Sequence, residues 1–152
     1  ISPMTDELKT DKEEDADELF QQHIEAQCKR LRILGFTGTP IIRGNLNAMD
    51  KSLLPSLQTV CTEILNNIAK HGKPGAFAFI LSVGPDAVRI FASNLYNAAI
   101  NSAPENHYGT ALIQDFAQQH NGTMTINSEW SLSLTIPLAH QVKLMFSPTE
   151  KL

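Results

Sequence analysis

Glu63-Ile64-Leu65-Asn66-Asn67-Ile68-Ala69-Lys70-His71 is the stretch whose reading decides the fold of this chain. It continues a stripe in which Leu54, Leu57, Val60, Cys61, Ile64, Leu65 and Ile68 recur at three- and four-residue steps. That period belongs to a helix buried along one side. Asp50 or Ser52 can cap its start, Pro55 is tolerated in its first turn, and Gly72 is a C-cap candidate. Glu63, Asn67 and His71 are spaced by four, with Lys70 beside them. Steps of four advance only ~40° around the axis, so these groups form a row on one side of the helix. The row can be an ordinary solvated helix face. It can equally seat a divalent cation and a polyphosphate. The carboxamide offers the oxygen ligand that Mg²⁺ prefers, the cations meet phosphate oxygens, and the carboxylate polarises a nucleophile.

Working outward, Leu19, Phe20, Ile24, Cys28, Leu31 and Leu34 predict an amphipathic helix from about Asp15 to Leu34, after an acidic, frayed lead-in over residues 1–14. Gly35, Gly38 and Pro40 break it, and Pro40–Arg43 reads as a short strand before the Gly44-Asn45 loop. Ala76–Val83 and Ala87–Ser93 form a hairpin across Gly84-Pro85-Asp86. Residues 94–108 lack a period and have the length of a ligand lid. Thr110–His120 reads as a helix ending at Asn121-Gly122, and Thr123–Asn127 with Trp130–Leu138 as a second hairpin. His107-Tyr108-Gly109 precedes that helix. The glycine permits close backbone approach to a ligand, and the N–H groups of Thr110, Ala111 and Leu112 would point at an anion. The order α-β-α-ββ-loop-α-ββ predicts an α+β, two-layer sandwich with helices on one face of a mixed, mostly antiparallel sheet. The folded body is expected over residues 15–140, with a tail over 141–152.

Composition agrees with one soluble domain: 152 residues, 42% hydrophobic and 18% charged. No apolar run approaches the ~20 residues of a membrane span, and no signal peptide opens the chain. The net charge is −4, and eight of the 16 acids lie in the first 18 residues. The remaining body is near neutral, which excludes the basic footprint of a nucleic-acid binder. Cys28 and Cys61 carry no metal-site spacing and read as buried thiols of a reducing compartment. His23, His120 and His140 have no acidic neighbour and read as packing, helix-end and post-strand residues.

The stretch Glu63–His71 resembles the N-box of the ATP-binding catalytic domain of sensor histidine kinases, in the branch with Glu, Asn and His at steps of four. Asn106-His107-Tyr108-Gly109, a helix, then Asn121-Gly122-Thr123 resembles the second glycine box of nitrate/nitrite-sensor-type kinases. Leu134-Thr135-Ile136-Pro137-Leu138 is similar to that family's last strand, so the resemblance covers about residues 17–138. It implies a Bergerat (GHKL) sandwich holding ATP and Mg²⁺ between the N-box helix and a lid over residues 94–108. By matched position, Asn67 would ligate Mg²⁺ and Glu63 would activate the phosphate acceptor. Lys70 and His71 would lie near the phosphates, with His107, Gly109 and Thr110 closing over them. The implied partners are a phosphoacceptor dimerisation domain of the same receptor and a response regulator, with no nucleic acid and no membrane contact by this fragment. The implied setting is the cytoplasmic part of a membrane-anchored bacterial sensor.

The sequence departs from that family at the adenine end. Where the family has Asp-x-Gly-x-Gly, this chain has Asn94-Leu95-Tyr96-Asn97-Ala98. Asn94 can accept from the adenine amino group through its amide oxygen, without the charge that strengthens such a bond. Tyr96 and Ala98 replace glycines that would shape the pocket, and Glu129-Trp130 stands where the family often has Gly-Thr. Two other readings therefore stand beside the kinase: a nucleotide-blind regulatory module of the same fold, and an anti-sigma-type serine kinase.

Overall fold

The predicted stripe is buried except at its first member, Leu54, which is partly buried. Leu57, Val60, Cys61, Ile64, Leu65 and Ile68 line the core side of one continuous helix, Leu53–His71. The structure is a computed structural model describing residues 2–94, 108–127 and 130–138. Its elements are α1 (Ser2–Ile33), β1 (Pro40–Gly44), a 3-10 turn (Leu46–Ala48), α2 (Leu53–His71), β2 (Ala78–Val83) and β3 (Ala87–Ser93), followed by α3 (Tyr108–Gln119), β4 (Thr123–Ile126) and β5 (Ser131–Pro137).

The five strands form one sheet in the order β1-β2-β3-β5-β4. Only β1 and β2 run parallel; every other pairing is antiparallel. Register places Ile42, Leu81, Ile90, Leu134 and Met124 in a single row across all five strands. Because side chains alternate along a strand, this row and its neighbour (Phe79, Ala92, Leu132) face the helices; they are buried except at the outer strands, where Ile42 and Met124 are partly buried. The other face presents Arg89, Phe91 and Ser133 to solvent. The architecture is the two-layer sandwich read from the sequence.

Both hairpins form as expected. The second is fastened to the end of α3, where Asn121 takes a left-handed φ of 59° and the Gly122 N–H donates to Ala117 O at 2.7 Å. A Cβ on Gly122 would lie 2.3 Å from Thr135 O and 2.4 Å from Ile136 Cδ1, so only glycine lets the helix end lie this close to β5.

Three local expectations are corrected. First, α1 runs from Ser2 rather than Asp15, because the charged head consists largely of Glu, Lys and Asp that do not oppose helix. Second, Leu19 and Leu34 are exposed: the stripe that meets the core is Phe20, Ile24, Cys28 and Leu31. Third, Ser52 is at the N-cap of α2 but makes no side-chain cap bond. Asp50 acts instead, accepting from Ser52 N–H at 3.1 Å.

α1 packs along α2 through buried apolar groups and two polar ties. A ring nitrogen of His23 lies 2.8 Å from Thr62 Oγ1, which identifies His23 as a packing histidine, and Arg30 donates to Asn66 Oδ1. His120 stacks on Phe116 at the end of α3, with ring centroids 4.6 Å apart. His140 lies outside the described residues.

Cys28 and Cys61 are free, buried thiols. Burial, assisted by Glu25 and opposed by Arg32, pushes Cys28 from the ordinary 9.0 up to about 12. Burial, with the neighbouring Cys28 adding to it, pushes Cys61 up as well. The folded state thus keeps protons that the unfolded chain releases above about pH 9, so this contribution to stability is intact below pH 9 and declines as pH rises towards 12.

Two outcomes test the packing. A thiol reagent at mildly alkaline pH is expected to leave the native protein unmodified and to label both cysteines once guanidinium unfolds it. Gly122→Ala should lower unfolding stability by about 2 kcal/mol in a denaturant titration, the cost of forcing a methyl into occupied space.

Candidate functional site

With successive helical residues ~100° apart, the packing of α2 assigns each of its sides. Leu57, Cys61, Ile64 and Ile68 point to the sheet. Thr62 and Asn66 meet α1. Ser56, Thr59 and Val60 line a groove of about 530 Å³ against Ala111, Asp115 and Phe116 of α3. Glu63, Asn67, Lys70 and His71 all project within about 60° of Ser56 around the same axis. They therefore continue the α3-facing side towards the C-terminal end of α2.

This side is mixed in exposure, with Ser56 and Thr59 open to solvent. Asn67 is only 7% exposed and is engaged in an interaction there. Glu63 and His71 are half-buried, and Lys70 is exposed. Adjacent residues Asn66 and Asn67 thus differ: Asn66 ties α1, and Asn67 is buried on the adjoining side of the helix.

Asn94 sits at the end of β3 and is fully buried. Its Nδ2 donates to Ala76 O at 3.1 Å, which orients the amide. Its Oδ1 is left without a hydrogen-bond partner among the described residues. A desolvated, unpaired acceptor costs about 1–3 kcal/mol, so this oxygen is an acceptor held ready. It lies against the end of α2: a Cβ on Gly72 would come within 2.4 Å of Asn94 Oδ1 and 2.6 Å of Ile68 O. Gly72 caps α2 by donating to Ile68 O at 2.8 Å, with an extended φ of −81° rather than the left-handed cap glycine usually provides. What requires glycine here is room for Asn94. The carboxamide of β3 thus adjoins the helix end that carries Asn67, Lys70 and His71.

Trp130, expected at the start of the last strand and a departure from the family's Gly-Thr, is bonded through its backbone to Asn94. Asn94 N–H donates to Trp130 O at 3.2 Å, one step beyond the pair Ser93↔Ser131. Trp130 is 1% exposed, has a left-handed φ of 54°, and its Nε1–H has no partner among the described residues. Only one signal in the sequence could have pointed to it: a large aromatic where a glycine-rich turn is expected.

The anion clamp is partly displaced from its predicted position. α3 begins at Tyr108, so Gly109 is inside its first turn rather than before the helix. Leu112 lies a full turn in, where its N–H is committed to the carbonyl four residues earlier. Thr110 is buried and engaged in an interaction. His107 and Asn106, the lid residues 95–107 with Tyr96 and Ala98, and Glu129 lie outside the described residues. Among the described residues no three His, Cys, Asp or Glu side chains cluster as a metal site. A Mg²⁺ seat built on one carboxamide, water and phosphate oxygens needs no such cluster.

No protein-family model matches the chain, and no curated protein does. Solved structures do. The catalytic domain of the histidine kinase ThkA aligns with a TM-score of 0.56 at 14% identity, over 80% of this chain and 92% of that one. The Acinetobacter baumannii histidine kinase AdeS aligns with a TM-score of 0.57 at 10% identity, over 82% of this chain and 64% of AdeS. A blue-light activated histidine kinase from Erythrobacter litoralis aligns with a TM-score of 0.52 at 10% identity, over 78% of this chain and 41% of its own length. The chain therefore has the fold of histidine kinase catalytic domains, and spans less than half of the last of these proteins.

The ready acceptor can be tested without any ligand. Asn94→Asp removes the donor to Ala76 O and buries a carboxylate beside that carbonyl. The expected result at neutral pH is a loss of about 2–4 kcal/mol in denaturant unfolding. Burial raises the folded-state pKa of this carboxyl, so the loss should shrink as pH falls and the protonated group donates to Ala76 O. An unchanged midpoint at neutral pH would show that the site is not desolvated.

Proposed function

We propose that this chain is the ATP-binding catalytic domain of a two-component sensor histidine kinase, of the nitrate/nitrite-sensor-like branch. The observation that carries the reading is the buried, unpaired Asn94 Oδ1 held against the end of the helix bearing Glu63, Asn67, Lys70 and His71. An adenine exocyclic amino group is the donor such an oxygen fits, and the fold shared with histidine kinase catalytic domains supports the assignment.

Mg·ATP, when bound, supplies the γ-phosphoryl group and the charge neutralisation that makes its transfer feasible. The chain's own residues bind and orient. Asn94 accepts from the base through Oδ1. Asn67 offers a neutral carboxamide oxygen to the cation, on the α3-facing side of α2. The exposed ammonium of Lys70 and the imidazole of His71 meet phosphate oxygens at the end of the same helix. Gly109 and Thr110, in the first turn of α3, and His107 before it are the proposed phosphate-side closure. Glu63, one turn before Asn67, holds the acceptor's proton so that the attacking nitrogen presents its lone pair.

The acceptor histidine is assigned to a separate dimerisation domain, from which the phosphoryl group passes to a response regulator. In this chain His23 is tied to Thr62 and His120 to Phe116. No described helix is long and apolar enough to cross a membrane. Membrane anchoring and a cytoplasmic setting for this domain are part of the proposal.

Two variants test it. Asn67→Ala should abolish measurable Mg·ATP binding in isothermal titration; unchanged affinity would refute the cation seat. Glu63→Gln should bind Mg·ATP normally and lose about 10²–10⁴-fold in phosphotransfer to a phosphoacceptor domain. Absence of ATP binding by the wild-type chain would favour a nucleotide-blind module of the same fold.

A further inference from the structure

Three irregularities meet where β3 ends and β5 begins. Among the described residues, Asn94 Oδ1 is a buried acceptor without a partner and Trp130 Nε1–H a buried donor without one. Trp130 also holds a left-handed backbone conformation that a bulky residue adopts at a cost. That conformation is imposed by its surroundings. Trp130 N–H donates to Asn127 O at 3.1 Å, Asn127 N–H donates to Ser131 O at 3.1 Å, and Ser131 N–H donates to Asn127 Oδ1 at 2.8 Å. These bonds fix the Trp130 backbone, which is joined to that of Asn94 by the Asn94 N–H to Trp130 O bond. Buried polar groups normally find partners, and strain that persists in a native fold is a pointer to function.

Resting on the ATP reading above, we infer that Trp130 is a base-reading residue: its Nε1–H donates to N1 of adenine while Asn94 Oδ1 accepts from the adjacent exocyclic amino group. An acceptor and a donor carried by two residues whose backbones are hydrogen-bonded match in kind the adenine edge, which presents a donor (the amino group) next to an acceptor (N1). Guanine presents the reverse, an acceptor (O6) next to a donor (N1–H), and would set like against like at both positions. The amide cannot adapt by flipping, because Nδ2 is committed to Ala76 O. The pair therefore selects adenine over guanine, and the indole supplies a contact that compensates for the missing carboxylate charge at residue 94.

Trp130 is the only tryptophan in the chain, so its emission reports on the site directly. The test titrates the wild-type chain with ATP, GTP and 1-deaza-ATP, an analogue lacking the N1 acceptor, each with Mg²⁺. Calorimetry gives affinities, and tryptophan fluorescence gives contact. The expected result is a saturable change of emission with ATP and about tenfold weaker binding of 1-deaza-ATP, the value of one hydrogen bond at a desolvated site. GTP should bind more weakly still. Trp130→Phe keeps an aromatic ring and removes the donor; it should bind ATP and 1-deaza-ATP equally. If that variant does not fold, the wild-type comparison of the two analogues decides alone. Equal affinity of the wild type for ATP and 1-deaza-ATP overturns this inference and leaves the ATP reading intact. No binding of any adenine nucleotide by the wild type overturns the ATP reading, and this inference with it.

Discussion

The burial of one helical stripe against one face of the sheet is the constraint on which the rest of the molecule depends. Leu57, Cys61, Ile64 and Ile68 of α2 share one buried cluster with Leu81, Ile90 and Leu134 of the sheet. Each fully buried aliphatic side chain contributes about 1.5–3 kcal/mol relative to exposure. That total sets the rotation of α2 against any competing preference of its polar groups. Once the rotation is set, the remaining sides follow: Thr62 and Asn66 turn to α1, and Glu63 and Asn67 turn to the side shared with α3. A rotation by a single residue, ~100°, would carry Asn67 onto the sheet and Ile68 towards α1.

The stability provided by that core tolerates costs elsewhere. An amide oxygen and an indole N–H with no partner among the described residues, and a left-handed tryptophan, lie where β3 ends and β5 begins, and each destabilises the folded chain by about 1–3 kcal/mol. They sit next to the C-terminal end of α2, where Gly72 leaves space for Asn94. The side of α2 turned to α1 shows the opposite pattern. There the His23–Thr62 and Arg30–Asn66 contacts pair polar groups across the helix interface. Polar groups are thus paired on one side of α2, while near its end two buried polar atoms have no partner among the described residues.

Much of the architecture was legible because it is written in short-range periods. The β-rich run after Gly84-Pro85-Asp86 gave β3 as Ala87–Ser93 without correction, and the three- and four-residue steps of α2 gave its buried side. Element ends were less legible. The acidic head carries no apolar period, so nothing in it announced a helix starting at Ser2. α3 was read from Thr110, because His107-Tyr108-Gly109 has the composition of a loop, yet the helix takes in Tyr108 and Gly109. Leu19 and Leu34 fit the helical spacing, but lie on parts of the surface that no other element covers.

For this protein, then, the local pattern of apolar and polar residues determined the order of elements, the sandwich and the row Glu63-Asn67-His71. Those properties depend on spacing within a few turns or one strand. Tertiary structure alone decided that Asn67 is buried, that Gly72 makes room for Asn94, and that Trp130 stands beside it with an unpaired donor. These facts join residues more than twenty positions apart in the chain, brought together by sheet register and by the seating of α2. No local period records which side chains those long-range pairings leave unsatisfied.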